Sequence, residues 1–346
     1  MDEKTAKKNH FFDITYITLT IIITGLGVLV FAVILMFLSG ERAKSITFNR
    51  GWQVEYHGET FTNVDLNGFS FEDLKKADTI VIENTLPGNL PEDSCMMVHV
   101  HYHDILVELD GEEILAMDRD RYDRDEMLGS GFYIARIGSD GEGKNVRIVM
   151  RAGEDGALTS IETPSIWDYD TFYRDYASEN VYKIALAFFF MVVGFSMTIM
   201  AVIVGLRKTF SAGDTFRLCS LSMFSVSFGT WMLGEQDLME IFTTDTVRMA
   251  EMKYNALFLL PVFFIGFQFE ESVDKRDKVK NSIFGIVWLI ATGFSLFTYI
   301  LHKTAGVNPR SFLLVSHVMD IGALLVVLVI RIKEIIRGRN RYKMSV

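Results

Sequence analysis

The sequence predicts an α+β membrane protein in which an extracytoplasmic β-sandwich is inserted after the first of six transmembrane helices. Three observations carry this expectation. Apolar residues, 49% of the chain, are gathered into blocks of bilayer-spanning length. The stretch between the first two blocks alternates with a period of two, the mark of half-buried strands. The loops between blocks differ sharply in basic charge.

The blocks come first. Thr15 to Leu38 follows the basic cluster Lys4, Lys7 and Lys8, and its apolar core is longer than a signal-peptide core, so an uncleaved anchor is expected. Five further spans read Val181 to Leu206, Phe216 to Leu233, Met249 to Phe269, Ile283 to Leu301 and Phe312 to Ile330. With six spans both ends fall on one side. Loops on that side carry 16 Lys and Arg, and the short loops opposite carry four, namely Arg248, Lys253, Lys303 and Arg310. The positive-inside rule then puts both termini in the cytoplasm of a multi-pass cell-membrane protein. The expected parts are a cytoplasmic N-terminus (1–14), an anchor helix (15–38), an extracytoplasmic sandwich (39–180), a five-helix block (181–330) and a basic cytoplasmic tail (331–346).

The inserted domain is acidic, with 13 Lys and Arg against 29 Asp and Glu between Gly40 and Asn180. Such a surface excludes nucleic acid as a partner, which needs clusters of basic side chains. Trp52, Val54 and Tyr56 alternate with polar neighbours, as do Ile80 and Ile82, then Val98, Val100 and Tyr102. Ile105, Val107 and Leu109 continue with shifted parity, which a bulge near His103 would explain. Asp110-Gly111 signals a hairpin, because both turn positions favour positive φ. Phe132 with Ile134, and Val146 with Ile148 and Met150, complete about eight short strands, the pattern of a jelly-roll-like sandwich.

Three groups there are candidates for chemistry. His99, His101 and His103 would share one face of a regular strand and could converge on zinc or copper, although a bulge at His103 would spoil that register and a solvent-facing strand edge has the same pattern. Asp118, Asp120, Asp123, Asp125 and Glu126 have the acid density of a calcium loop. They fail its spacing, and the interleaved Arg119, Arg121 and Arg124 point to a salt-bridged loop. Trp52, Tyr56, Tyr122 and Tyr133 could line a ligand face, though single aromatics in a sandwich more often belong to its core. Cys95 and Cys219 fall in different parts, so neither a mutual disulfide nor a thiol metal site is expected.

Within the spans, His317 and Asp320 form an i, i+3 polar pair, suited either to proton relay or to locking helices together. Pro261 interrupts the hydrogen-bond ladder of its span. Gly194, Ser196, Gly229, Gly285 and Gly293 allow close helix packing. The sequence holds no Walker loop, HExxH, GxSxG or kinase glycine loop, so no enzymatic activity and no cofactor are expected of it.

The order of parts resembles the sensor half of bacterial seven-transmembrane receptors with diverse intracellular signalling modules, most of all those preceding diguanylate cyclase domains. The resemblance rests on Leu86-Pro87, the run Val107 to Ile114, Gly129-Ser130-Gly131-Phe132, Trp231 to Glu235 and Leu259-Leu260-Pro261. That family places about seven helices after its external domain, whereas five are read here, and the GGDEF segment it usually carries is absent. The resemblance implies a sensory input module with an external ligand and a cytoplasmic output domain or protein. The tail reads as a chain continuing toward such an output. Membrane lipid is an expected partner, and a homodimer is among the expected assemblies. A transporter or channel component using Asp320 and His317, or an envelope assembly protein, are the other function classes the sequence admits.

Overall fold

The computed structural model describes residues 45–343 apart from 72, 158–159, 208–209, 242 and 269–277, together with 25, 27, 28, 31 and 32. It is a mixed α and β chain of two units. One comprises Phe37–Val181 with Gly234–Met252, and the other Met1–Met36, Tyr182–Leu233 and Lys253–Val346. The first thus takes in a segment that the sequence groups with the membrane helices.

The described residues of the first unit hold ten strands: β1 (Ile46–Thr47), β2 (Trp52–Tyr56), β3 (Glu59–Val64), β4 (Thr79–Thr85), β5 (Ser94–His101), β6 (His103–Leu109), β7 (Glu112–Met117), β8 (Ser130–Arg136), β9 (Asn145–Ala152) and β10 (Ser165–Asp168). They make two antiparallel sheets, one of four strands in the order β1-β10-β5-β8 and one of six in the order β3-β2-β4-β9-β6-β7. Alternation fixes which side faces inward. Along β9, Val146, Ile148, Met150 and Ala152 are buried while Arg147 and Arg151 face outward to ion pairs. Met96, Val98 and Val100 of β5 join them with Trp52, Ile80, Ile82 and Ile105 in one core between the sheets. Each such side chain contributes about 1.5–3 kcal/mol by leaving water.

The parity shift seen in the sequence has a different cause from the bulge expected at His103. Tyr102 takes φ +62°, and there the chain leaves the four-stranded sheet and enters the six-stranded one. The hairpin at Asp110-Gly111 has positive φ at both residues (51° and 86°), as its composition requires. β1 and β10 pair as neighbours, Ile46 opposite Ile166, so the chain enters and leaves the sandwich at the same end.

Among the described residues from 45 onward there are seven α-helices, the first lying between β7 and β8: α1 (Arg119–Asp123), α2 (Phe172–Glu179), α3 (Val181–Leu206), α4 (Ala212–Glu235), α5 (Thr246–Gln268), α6 (Lys278–Ala305) and α7 (Leu313–Lys343). Among the described residues four helices are long and apolar enough to cross a membrane: α3, α5, α6 and the span Pro309–Lys333, which takes in most of α7. They carry many exposed large hydrophobic residues, as a membrane protein requires. This is fewer than the six spans expected. The anchor Thr15 to Leu38 falls mostly outside the described residues, of which Gly25, Gly27, Val28, Phe31 and Ala32 are helical. Helix α4 contains the expected span Phe216 to Leu233 but is diluted by Ser220, Ser222, Ser225 and Ser227, all buried.

Those serines lie at a close helix contact. A Cβ on Gly194 of α3 would sit 2.7 Å from the Ser222 carbonyl, and one on Gly229 of α4 would sit 2.6 Å from the Ala187 carbonyl. Backbone approach of this kind admits only small residues. Gly293 on α6 has nothing within 4 Å of such a Cβ. Gly229→Leu should therefore destabilise the purified protein by about 1–3 kcal/mol, read as a lower thermal midpoint in detergent. Gly293→Leu should leave the midpoint within a degree or two, and equal effects would contradict the packing described.

Candidate functional site

The site builds on the outer face of the four-stranded sheet. On β5, Met96, Val98 and Val100 point to the core, so Cys95, Met97, His99 and His101 point away from it. The register sets His99 opposite Phe132 of β8 and His101 opposite Ser130. Water covers little of this face. Helix α2 lays Phe172 and Tyr176, spaced i, i+4, over it. Phe132 meets Tyr176 edge-on at 4.9 Å, and Trp167 of β10 meets Phe172 at 5.5 Å and 88°. The 3-10 turn Leu238–Ile241 packs against α2, with Leu238 and Met239 buried.

The segment Gly234–Met252 is thus seated on the sandwich, and two glycines of β8 and its approach make room for it. A Cβ at Gly129 would lie 2.5 Å from the backbone carbon of Thr246, and one at Gly131 would lie 2.6 Å from Glu240 Oε1. Beside them the Tyr133 hydroxyl donates to Asp118 and lies 3.0 Å from Thr246 Oγ1. Burial first, and then the Asp118 carboxylate, push the phenol pKa of Tyr133 well above its ordinary value. At the rim, Arg121 reaches Asp118 at 3.6 Å and Asp245 at 3.8 Å. Exposed ion pairs of this kind add less than about 1 kcal/mol, so the close approach at Gly129 and Gly131 and the Tyr133 hydroxyl hold the segment.

The histidines divide. His99 Nδ1 lies 3.2 Å and His101 Nε2 3.0 Å from the two oxygens of Glu162, while His101 Nδ1 meets Ser130 Oγ at 2.8 Å. His103 is turned away by the crossing at Tyr102 and buried, with its Nδ1 2.7 Å from the His101 carbonyl. The expected three-histidine face is therefore broken. Among the described residues no group of three His, Cys, Asp or Glu side chains could hold a metal ion. Burial lowers the His99 pKa below its ordinary 6.5, against the pull of Glu162 and Asp237. The hydrogen bond from His101 lowers that of Glu162.

The four candidate aromatics also part company. Trp52 is wholly buried and donates to the Phe48 carbonyl at 2.7 Å, and Tyr56 is buried against Phe71 and stacked on His57, so neither lines a ligand face. Tyr122 lies under the Arg151 guanidinium at 4.1 Å, and Arg151 is held by buried Asp104. Tyr133 borders a cavity, which it shares with Phe132, Tyr169, Tyr173 and Glu240. The acidic loop is salt-bridged as its interleaved arginines imply, through Arg124–Glu126, Lys76–Asp125 and Arg151–Asp123. Cys95 is buried, and that burial, with Asp168 next in effect, pushes its thiol to about 12, which leaves it inert. On α7, His317 is exposed and Asp320 half-buried. A separate cavity of about 470 Å3 lies between α5 and α6, lined by Asn255, Phe258, Thr292, Ser295 and Tyr299 among others.

What sequence reading missed here is Thr246, Glu240 and the pair Phe172 and Tyr176. The i, i+4 aromatic spacing was a usable signal for α2; nothing local marks Thr246, whose partner Tyr133 is 113 residues away.

Removing the phenol in Tyr133→Phe leaves Asp118 and Thr246 short of a partner and should cost about 1–3 kcal/mol. The expected readout is faster protease cleavage within 234–252, and unchanged cleavage would count against the seating described. Between pH 7 and 5 the unfolded chain takes up a proton at His99 that the folded chain resists, so stability falls as pH drops through 6.5. Below about 4.5, protonation of Glu162 removes a further contribution in the same direction. Thermal midpoints measured at pH 7.5, 6 and 5 should decline, and His99→Phe should flatten the decline above pH 5.

No family model and no curated protein matches the chain. Among solved structures, an FMN-binding beta-glucuronidase from Facaelibacterium prausnitzii L2-6 is similar over 36% of this chain at 14% identity. The match covers 22% of that chain with a TM-score of 0.26, a level that carries no argument about fold or activity.

Proposed function

We propose that the chain is the sensory input module of a membrane signalling receptor. In this reading six helices cross the cell membrane, both termini are cytoplasmic, and the sandwich, of jelly-roll type, faces outward to meet a ligand or contact. A cytoplasmic output, of diguanylate cyclase type by resemblance, reads the result. The observation that carries the proposal is the seating of Gly234–Met252 along the β8 edge of the sandwich, because that segment joins α4 to α5. The sandwich is also continuous with α3 through α2, with only Asn180 between them. A change in the sandwich therefore has covalent and packed routes to three helices at once. Helix α7, 31 residues long, spans about 46 Å and outruns a hydrocarbon core of about 30 Å, so a shift at one end is carried to the other as a rigid rod.

For signalling, a ligand must bind two arrangements with different affinity. The two arrangements can be tested without one. Gly131 lies close enough to Glu240 for a disulfide to pin the segment to β8. In a background with Cys95 and Cys219 replaced by serine, Gly131→Cys with Glu240→Cys should change the crosslinking of single cysteines placed at 331–343 when oxidised. The expected result is a different pattern in oxidised and reduced membranes. Identical patterns at every tail position would refute the coupling.

A further inference from the structure

We propose that the cavity at the β8 edge of the sandwich binds a small organic ammonium. The cavity measures about 320 Å3, the low end of the range for small-molecule sites. It opens beside β7 and β8, the last strands of the two sheets, and is closed by α2 and by the segment Gly234–Met252. Its wall is made by Phe132, Tyr133, Tyr169 and Tyr173, with the carboxylate of Glu240 and the hydroxyl of Thr244 as the polar groups.

That composition selects a charge type. Aromatic faces carry negative quadrupole charge and attract ammonium groups, more strongly where water is excluded. Glu240 is buried over Gly131, in a low-dielectric setting where a carboxylate favours a cation most. Among the described lining residues the charged one is the carboxylate of Glu240, which favours a cation over an anion. One ring already shows the chemistry: the Arg136 guanidinium lies over Tyr169 at 4.6 Å, held there by Asp93 at 2.8 Å. Tyr173 is 43% exposed at the mouth, so it can close over a ligand without disturbing the core. The sandwich is acidic overall, and its field raises the local concentration of cations.

The site deepens the sensory reading and rests on it for its consequence, since a ligand touching both Phe132 and Glu240 would bridge β8 and the segment joining α4 to α5. Binding itself is measured apart from signalling, so either can fail alone. Full-length protein in phosphatidylglycerol nanodiscs is titrated by calorimetry with choline and with 3,3-dimethyl-1-butanol, its uncharged isostere. Choline should bind and the alcohol should bind at least about tenfold more weakly. Glu240→Gln and Tyr173→Ala should each weaken choline about tenfold, while Tyr173→Phe stays within about threefold. Equal binding of the two compounds, or no binding of choline, overturns the proposal. If Glu240→Gln lowers the thermal midpoint, the two Tyr173 variants decide, because that side chain stands at the surface. Repeating the titration in phosphatidylcholine nanodiscs distinguishes sources: weaker choline binding there identifies a lipid headgroup as the occupant, and unchanged binding identifies a free solute. The tail crosslinking pattern with and without choline then reads the sensory role separately.

Discussion

The seating of Gly234–Met252 along the β8 edge of the four-stranded sheet is the contact on which the rest of the structure depends. An antiparallel sheet commonly leaves one face in water. Here β5 is buried on both sides, by the core through Val98 and Val100 and by α2 over its outer side, while the seated segment closes the neighbouring β8 edge. Without that cover, Phe132, Trp167, Phe172 and Tyr176 would meet solvent. Each aromatic side chain buries about 150–250 Å2. Keeping such a side chain from water is worth about 1.5–3 kcal/mol. Rim ion pairs such as Arg121–Asp245 cannot compete on that scale.

The strands were legible because period-two alternation is a local property. Val146, Ile148 and Met150 show it in sequence and face the core in the structure, and Asp110-Gly111 takes the two positive φ values that its composition demands. The histidine triplet parts at the parity shift that the sequence already shows near His103. Equal spacing implies a shared face only while the strand stays in one sheet, and Tyr102 ends that condition between His101 and His103. Trp52 and Tyr56 were read as ligand candidates on residue type alone, and the core claimed them. Gly129 and Gly131 stood out as a motif, but the reason for them, Thr246 and Glu240, lies more than a hundred positions away and belongs to tertiary packing.

In the helical unit the same division holds. Length and apolarity identify α3, α5, α6 and most of α7 directly. Helix α4 is harder, because its serines read as polar dilution although they are buried where backbones approach closely. In hydrocarbon, association between helices rests on close packing and hydrogen bonds rather than on burial from water, which favours such small residues. The outer surfaces of α6 and α7, with Ile286, Leu289, Ile321 and Leu328 exposed, are the kind that lipid covers.

The pairing of β1 with β10 has a consequence for engineering. Because these neighbours carry the two ends of the sandwich, a cassette excised at them would have termini roughly one inter-strand spacing apart, about 4.8 Å. Such a cassette could be transplanted onto any host with two closely set attachment points. It would arrive incomplete, since the piece that shields its aromatic flank is encoded some seventy positions downstream of β10 and has to be supplied as a second graft.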